Sequence, residues 1–144
     1  MAVLLERYML NRFGFVAAAF AFFHVFSVSD ALAQWTVTNL HPVGAEHSVA
    51  LAASGSQEAG YTILDGGPRA SLWSGTTASW VDLNPAGTDR SQALAASGSH
   101  QAGYAGVAEA AHASLWSGTA TSWIDLNPAG STTSVALAAS GSQQ

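Results

Sequence analysis

The chain has 144 residues, 49% of them hydrophobic and only 9% charged, with four arginines, no lysine and a formal net charge of −5. Its apolar content is enough to fold, but no basic patch exists to neutralise phosphates, which excludes nucleic acid as a partner. The absence of cysteine excludes disulfides and thiolate metal sites.

The chain opens with Arg7 and Arg12, continues with an apolar run over residues 13–28, and reaches Ala31-Leu32-Ala33 just before Gln34. A modestly basic start, an apolar stretch short for a stable bilayer span and a small-x-small site predict a secretory signal-peptide helix over residues 1–33, cleaved after Ala33. The expected location is the periplasm, the cell surface or the medium. Membrane contact is expected only through this segment where it stays uncleaved.

Everything after it is repetitive. A-S-L-W-S-G-T-x-x-S-W-[V/I]-D-L-N-P-A-G occupies residues 70–87 and again residues 113–130, and S-x-A-L-A-A-S-G-S begins at Ser48, Ser91 and Ser134. Residues 45–87 align with residues 88–130 without a gap, and 26 of the 43 positions are identical. The repeat domain, residues 34–144, therefore divides into a partial unit (34–44), two whole units (45–87 and 88–130) and a unit that stops early (131–144). In the leading partial unit, Asn39-Leu40-His41-Pro42-Val43-Gly44 stands where Asp82-Leu83-Asn84-Pro85-Ala86-Gly87 stands later.

Within a unit, short runs rich in Trp, Tyr, Val, Ile and Leu are separated by Gly and Ser, which reads as strands joined by tight turns. In the second unit the predicted strands are residues 91–96, 101–105, 112–117 and 122–126. Asn127-Pro128-Ala129-Gly130 then suits a type I turn, with Asn at its first position, Pro at the second and Gly at the fourth. The run Ala93-Leu94-Ala95-Ala96 has helix propensity, yet no apolar period of 3.6 extends through the unit, so a helical solenoid is disfavoured. Small side chains suit an inner strand near a crowded axis. Leu115 and Trp116 are adjacent, and hence on opposite faces of a strand, so both faces of the sheet are expected to be covered.

The predicted fold is all-β. Each unit forms an antiparallel four-stranded meander, and the units form a partial β-propeller-like array of two full blades plus partial ones. Trp73, Trp80, Trp116, Trp123, Tyr61 and Tyr104 recur in register and are expected to form the repeated core. Asp82 and Asp125, with Asn84, Pro85, Asn127 and Pro128, are expected to cap and close the turns. Paired carboxylates at Asp82 and Asp125 also suit glycoside hydrolysis, but recurrence in each unit is what a fold residue shows. His41, His47, His100 and His112 occupy no equivalent positions in the repeat, so no metal site is expected, and no motif for a cofactor or for nucleophilic catalysis is present. Exposed Trp side chains would suit sugar rings, whereas buried ones would pack between blades.

The two units differ completely between the second and third strands, over residues 62–69 and 106–111. In a meander that connection shares an end with the loop leading to the next unit. A binding face is therefore expected there, around Asp65, Arg69, Asp89, Arg90, Glu109 and His112.

The phrase H-A-S-L-W-S-G at residues 112–118, followed by Asp125-Leu126 and by S-G-S-x-Q-A-G-Y in the strand region, resembles the extracellular HAF-type repeat of bacterial exported proteins. The resemblance extends over residues 34–144 and departs from the pattern at Arg69, where His is expected, and at Ser71 and Ser114, where Phe is expected. It implies export and a β-propeller-like array, and it carries no catalytic residue.

The function expected from the sequence is a non-catalytic exported module, structural or binding a glycan or a surface protein, and able to self-associate through open sheet edges. The alternatives are a fragment of a secreted propeller enzyme acting on polysaccharide, and a truncated reading frame without independent function.

Overall fold

A computed structural model describes residues 36–141; the predicted signal segment, residues 1–33, lies outside them. The described chain forms eight strands: β1 (His47–Ser54), β2 (Gln57–Leu64), β3 (Gly67–Trp73), β4 (Val81–Asp82), β5 (Ser91–Ser97), β6 (His100–Val107), β7 (Ala110–Trp116) and β8 (Ile124–Asp125). They make two four-stranded antiparallel sheets, ordered β1-β2-β3-β4 and β5-β6-β7-β8. The register is the same in both. Ser48 faces Thr62 and Tyr61 faces Ala70 in the first sheet; Ser91 faces Ala105 and Tyr104 faces Ala113 in the second.

Each first strand carries a β-bulge. Ala50 pairs with Gly60 and Ala52 with Ala59, which leaves Leu51 without an opposite number; Leu94 is skipped in the same way between Ala93 and Ala95. The glycine opposite the bulge is obligatory, because a Cβ on Gly60 would lie 1.9 Å from the Val49 carbonyl oxygen and one on Gly103 would lie 1.9 Å from that of Gln92. This explains the Gly in the repeated A-G-Y.

Three local features differ from the sequence reading. The fourth strand, expected over residues 122–126, is only two residues long and follows a 3-10 turn, Thr77–Ser79 in the first unit and Ala120–Ser122 in the second. That turn takes the Trp123 N–H to the Ala120 carbonyl at 3.3 Å, and the Ser122 hydroxyl accepts from the Ser117 N–H at 2.8 Å, so these groups are lost to the ladder. The connection between second and third strands is not a loop of six or eight residues. It is the two-residue turn Asp65-Gly66 (φ 51° and 80°) or Ala108-Glu109 (φ 48° and 69°), with the strands extending up to it. Two consecutive positive φ values are what a type I′ hairpin needs. The exit turn, finally, is shifted by one residue: Thr88 N–H donates to the Pro85 carbonyl at 3.2 Å and Ser131 N–H to that of Pro128 at 3.0 Å. Pro is thus the first residue and Gly87 the third, at φ 83°, the sign of φ a type II turn requires there. Asn84 and Asn127 lie outside the turn, which frees their side chains to span it.

Strand alternation sorts the core residues. Ala59, Ala70 and Leu72 share one face of the first sheet, and Thr62, Ser71 and Trp73 the other. The first set meets Ala93, Ala105 and Trp116 of the second sheet in one buried cluster with Leu83, while Val81, Ala96 and Trp123 pack at its margin. β5 is the strand that lies against β1, β2 and β3. Ala93 is fully buried there, so the Ala run brings two backbones together where a larger side chain would hold them apart. Trp73 and Trp116 are buried, whereas Trp80, Trp123, Tyr61 and Tyr104 are half-buried.

Candidate functional site

The repeated polar residues are consumed by the fold. One oxygen of Asp82 accepts from the Asn84 N–H at 2.8 Å, and the other accepts from the Arg69 guanidinium at 3.0 Å. Asp125 repeats this with the Asn127 N–H at 2.8 Å and the His112 Nδ1 at 2.8 Å. Burial pushes the Asp125 carboxyl upward, but the His112 hydrogen bond, the Asn127 N–H and the His112 charge together outweigh it and leave the group below its ordinary value. The buried Ser71 and Ser114 accept the indole N–H of Trp80 at 3.0 Å and of Trp123 at 2.8 Å, and donate to the carbonyls of Arg69 and His112. Serine at these two positions is therefore a hydrogen-bond hub. In the first unit Thr62 joins it, its hydroxyl 2.9 Å from that of Ser71.

Arg69 and His112 thus lie in β3 and β7 and are paired with the recurring carboxylate. The other four residues expected at a binding face occupy connections. Asp65 and Glu109 are exposed in the hairpin turns, and Asp89 and Arg90 form the link between the sheets. The structure brings them to one end of the strands. The Asp89 carbonyl packs beside Gly67, its carboxylate beside Gly106, and Arg90 donates to the Glu109 carbonyl at 2.9 Å. Arg69 adds an ion pair to Asp65 at 3.6 Å, and Arg90 one to Asp89 at 3.7 Å. Tyr104 borders the group: burial raises its hydroxyl above the ordinary value, against the opposing charge of Arg90, and Tyr61 adds to the rise.

Ala108 and Glu109 are strained. Each is a non-glycine residue in the left-handed region, costing about 1–2 kcal/mol. The first unit avoids part of this cost by placing Asp-Gly at the same turn. Arg90 clasps the strained turn through its backbone, leaving the Glu109 carboxylate in solvent.

A second feature escaped the sequence reading. A cleft of about 430 Å³ is lined by Thr38, Asn39, Leu40, His41, Ser48, Ala50 and Trp73. His41 builds one wall and copies asparagine. Asn84 donates to the Thr88 carbonyl at 3.2 Å and accepts from the Ser91 hydroxyl; Asn127 does the same with Ser131 and Ser134. His41 Nε2 lies 3.1 Å from the Ala45 carbonyl and Nδ1 2.8 Å from the Ser48 hydroxyl. A carbonyl can only accept, so in the neutral ring Nε2 carries the hydrogen and Nδ1 receives that of Ser48. The alignment of Asn39-Leu40-His41-Pro42 with the later D-L-N-P contained this signal. The Trp73 and Trp116 indole N–H groups find no partner among the described residues, and because both units share this it belongs to the fold rather than to the cleft.

No three His, Asp or Glu side chains converge as a metal site among the described residues. Compared with protein-family models, with curated proteins and with solved structures, the chain matches none.

Proposed function

We propose that this chain is an exported, non-catalytic module of a propeller-like repeat array of the HAF type, whose rigid sheets hold a variable set of turns for contact with a glycan or a protein at the cell surface or in the periplasm. The observation that carries the reading is the strained Ala108-Glu109 turn. Strain persists where surrounding structure over-determines it, and such outliers cluster at ligand contacts. It sits at the end where the two units differ in sequence, with the Asp89 carboxylate beside Gly106 and Arg90 bonded to the Glu109 carbonyl, whereas the residues the units share serve hydrogen bonds and packing. Export rests on the sequence of residues 1–33, and the propeller-like arrangement on the 43-residue period and on two stacked four-stranded sheets. Asp82 and Asp125 are each held by a backbone N–H and a cationic or imidazole partner, which suits structural caps better than an acid and a base.

The test is a glycan-binding and surface-protein-binding screen with the full chain, repeated with Asp65→Ala, Arg90→Ala and Glu109→Ala. The expected result is a bound ligand whose affinity falls about tenfold or more on losing one of these side chains, as loss of a charge-assisted contact does. Absence of any ligand, or a ligand indifferent to all three substitutions, would sink the binding reading. Release of sugar from a polysaccharide would sink the non-catalytic one.

A further inference from the structure

The cleft has a counterpart in the core. Adding 43 to Thr38, Asn39, Leu40, His41, Ser48, Ala50 and Trp73 yields Val81, Asp82, Leu83, Asn84, Ser91, Ala93 and Trp116. Three of these, Leu83, Ala93 and Trp116, form the buried socket into which the first sheet presses Ala59, Ala70 and Leu72. The outer face of the first sheet is therefore the same socket without its plug. Ala50 there is exposed, while Ala93 is fully buried.

The plug recurs as well. Ala102, Ala113, Leu115 and Ile124 on the outer face of the second sheet are the equivalents of Ala59, Ala70, Leu72 and Val81. Leu72 is only 4% exposed in the internal interface, whereas Ile124 is 51% exposed on the outer face and Leu115 is half-buried. The two outer faces of one molecule are thus the mates of each other, in the arrangement that already joins its two sheets.

We propose that this chain adds to a second copy of itself head to tail, the outer face of the second sheet in one molecule docking on the outer face of the first sheet in the next, with residues 36–46 and 134–141 acting as exchangeable caps. Residues 134–141 repeat residues 48–55 without a change. They lie on the second sheet as β5 lies on the first. The Ala113 N–H donates to the Ser134 hydroxyl at 3.0 Å, as that of Ala70 does to Ser91 at 2.9 Å. The Gly141 N–H donates to the Ser97 hydroxyl at 3.0 Å, as that of Gly98 does to Ser54 at 3.0 Å. β1 of an incoming molecule offers the same Ser48 hydroxyl and Gly55 N–H, and brings β2, β3 and β4 with it. In exchange, Asp125, Leu126 and Asn127 of the first molecule take the place that Asn39, Leu40 and His41 hold over Trp73 of the second. The contact is heterologous, so it propagates rather than closing as a symmetric dimer. Both caps are poor ones: one leaves the cleft open, and the other leaves Leu137 75% exposed.

The inference is independent of any ligand at the turns, since its test reads only association. The full chain is measured by sedimentation velocity over a range of concentrations, beside Ala50→Glu, Ile124→Asp and Ser134→Ala. Ala50 and Ile124 are exposed, so their variants keep the monomer fold, checked by melting. The wild-type chain is expected to form a concentration-dependent ladder of species and each charged variant alone to remain monomeric. An equimolar mixture of Ala50→Glu and Ile124→Asp should form a 1:1 dimer and nothing larger, because each retains one good face. Ser134→Ala loosens the cap and should shift the assembly midpoint to about tenfold lower concentration. A wild-type chain and a Ser134→Ala variant that both stay monomeric throughout overturn the proposal. So do assemblies that survive both charged substitutions, or a mixture that does not dimerise.

Discussion

Ser114 shows how far a single small side chain can matter. It is fully buried, accepts the Trp123 indole N–H and donates to the His112 carbonyl, so its hydroxyl satisfies two other groups as well as itself. Ser114→Ala leaves the Trp123 indole N–H unpaired, while the His112 carbonyl keeps its place opposite Ala105 in the ladder, and the change is expected to destabilise by about 1–3 kcal/mol in a urea titration. A cost below a few tenths would mean that water replaces the hydroxyl. Asp125 gives a pH dependence whose sign follows from its depressed pKa. The folded state releases this proton more readily than the unfolded chain, so the contribution is present above the unfolded value of about 4 and is lost as pH falls through the lower folded value. Stability measured as a urea midpoint should decline on acidification below about pH 4, and Asp125→Asn should flatten that decline. An unchanged slope would place the acid sensitivity elsewhere.

At the scale of the element, the hairpins between second and third strands are one turn type with two qualities of sequence. Asp65-Gly66 suits type I′, whereas Ala108-Glu109 occupies the same left-handed positions without glycine. Replacing Ala108-Glu109 with Asn-Gly is expected to stabilise the chain by about 1–2 kcal/mol, read as a higher thermal midpoint. The Glu109 carboxylate would be lost in the exchange, so ligand binding should weaken as stability rises. A stabilised variant with undiminished binding would show that the strained turn takes no part in recognition.

Across the whole described region, the two sheets share one buried cluster. Trp116 belongs to the second sheet but shares one buried cluster with Leu72 and Leu83 of the first unit. Trp116→Ala is expected to cost about 3–5 kcal/mol and to lower hydrogen-exchange protection in β1–β3 as well as in β5–β7. Loss of protection confined to β5–β7 would mean that the sheets fold independently. Packing against the Ala-lined strand β5 covers one face of each sheet with the other, so those two inner faces need no polar coat.

The sequence by itself determined the all-β meander, its 43-residue period and the strand order, because turn glycines, alternating large residues and duplication are local signals that survive without coordinates. It also singled out Asp82 and Asp125 as caps, since a side chain bonding two residues along is written in the chain. Only tertiary structure decided the rest. The pairing of Arg69 with Asp82 and of His112 with Asp125 crosses from strand to strand and depends on register. The shortening of the fourth strand depends on competition between a 3-10 turn and the ladder. The cleft over Trp73 exists because residues 36–41 cover a face that a whole sheet covers one unit later, and that difference lies in what packs on the residues rather than in the residues themselves.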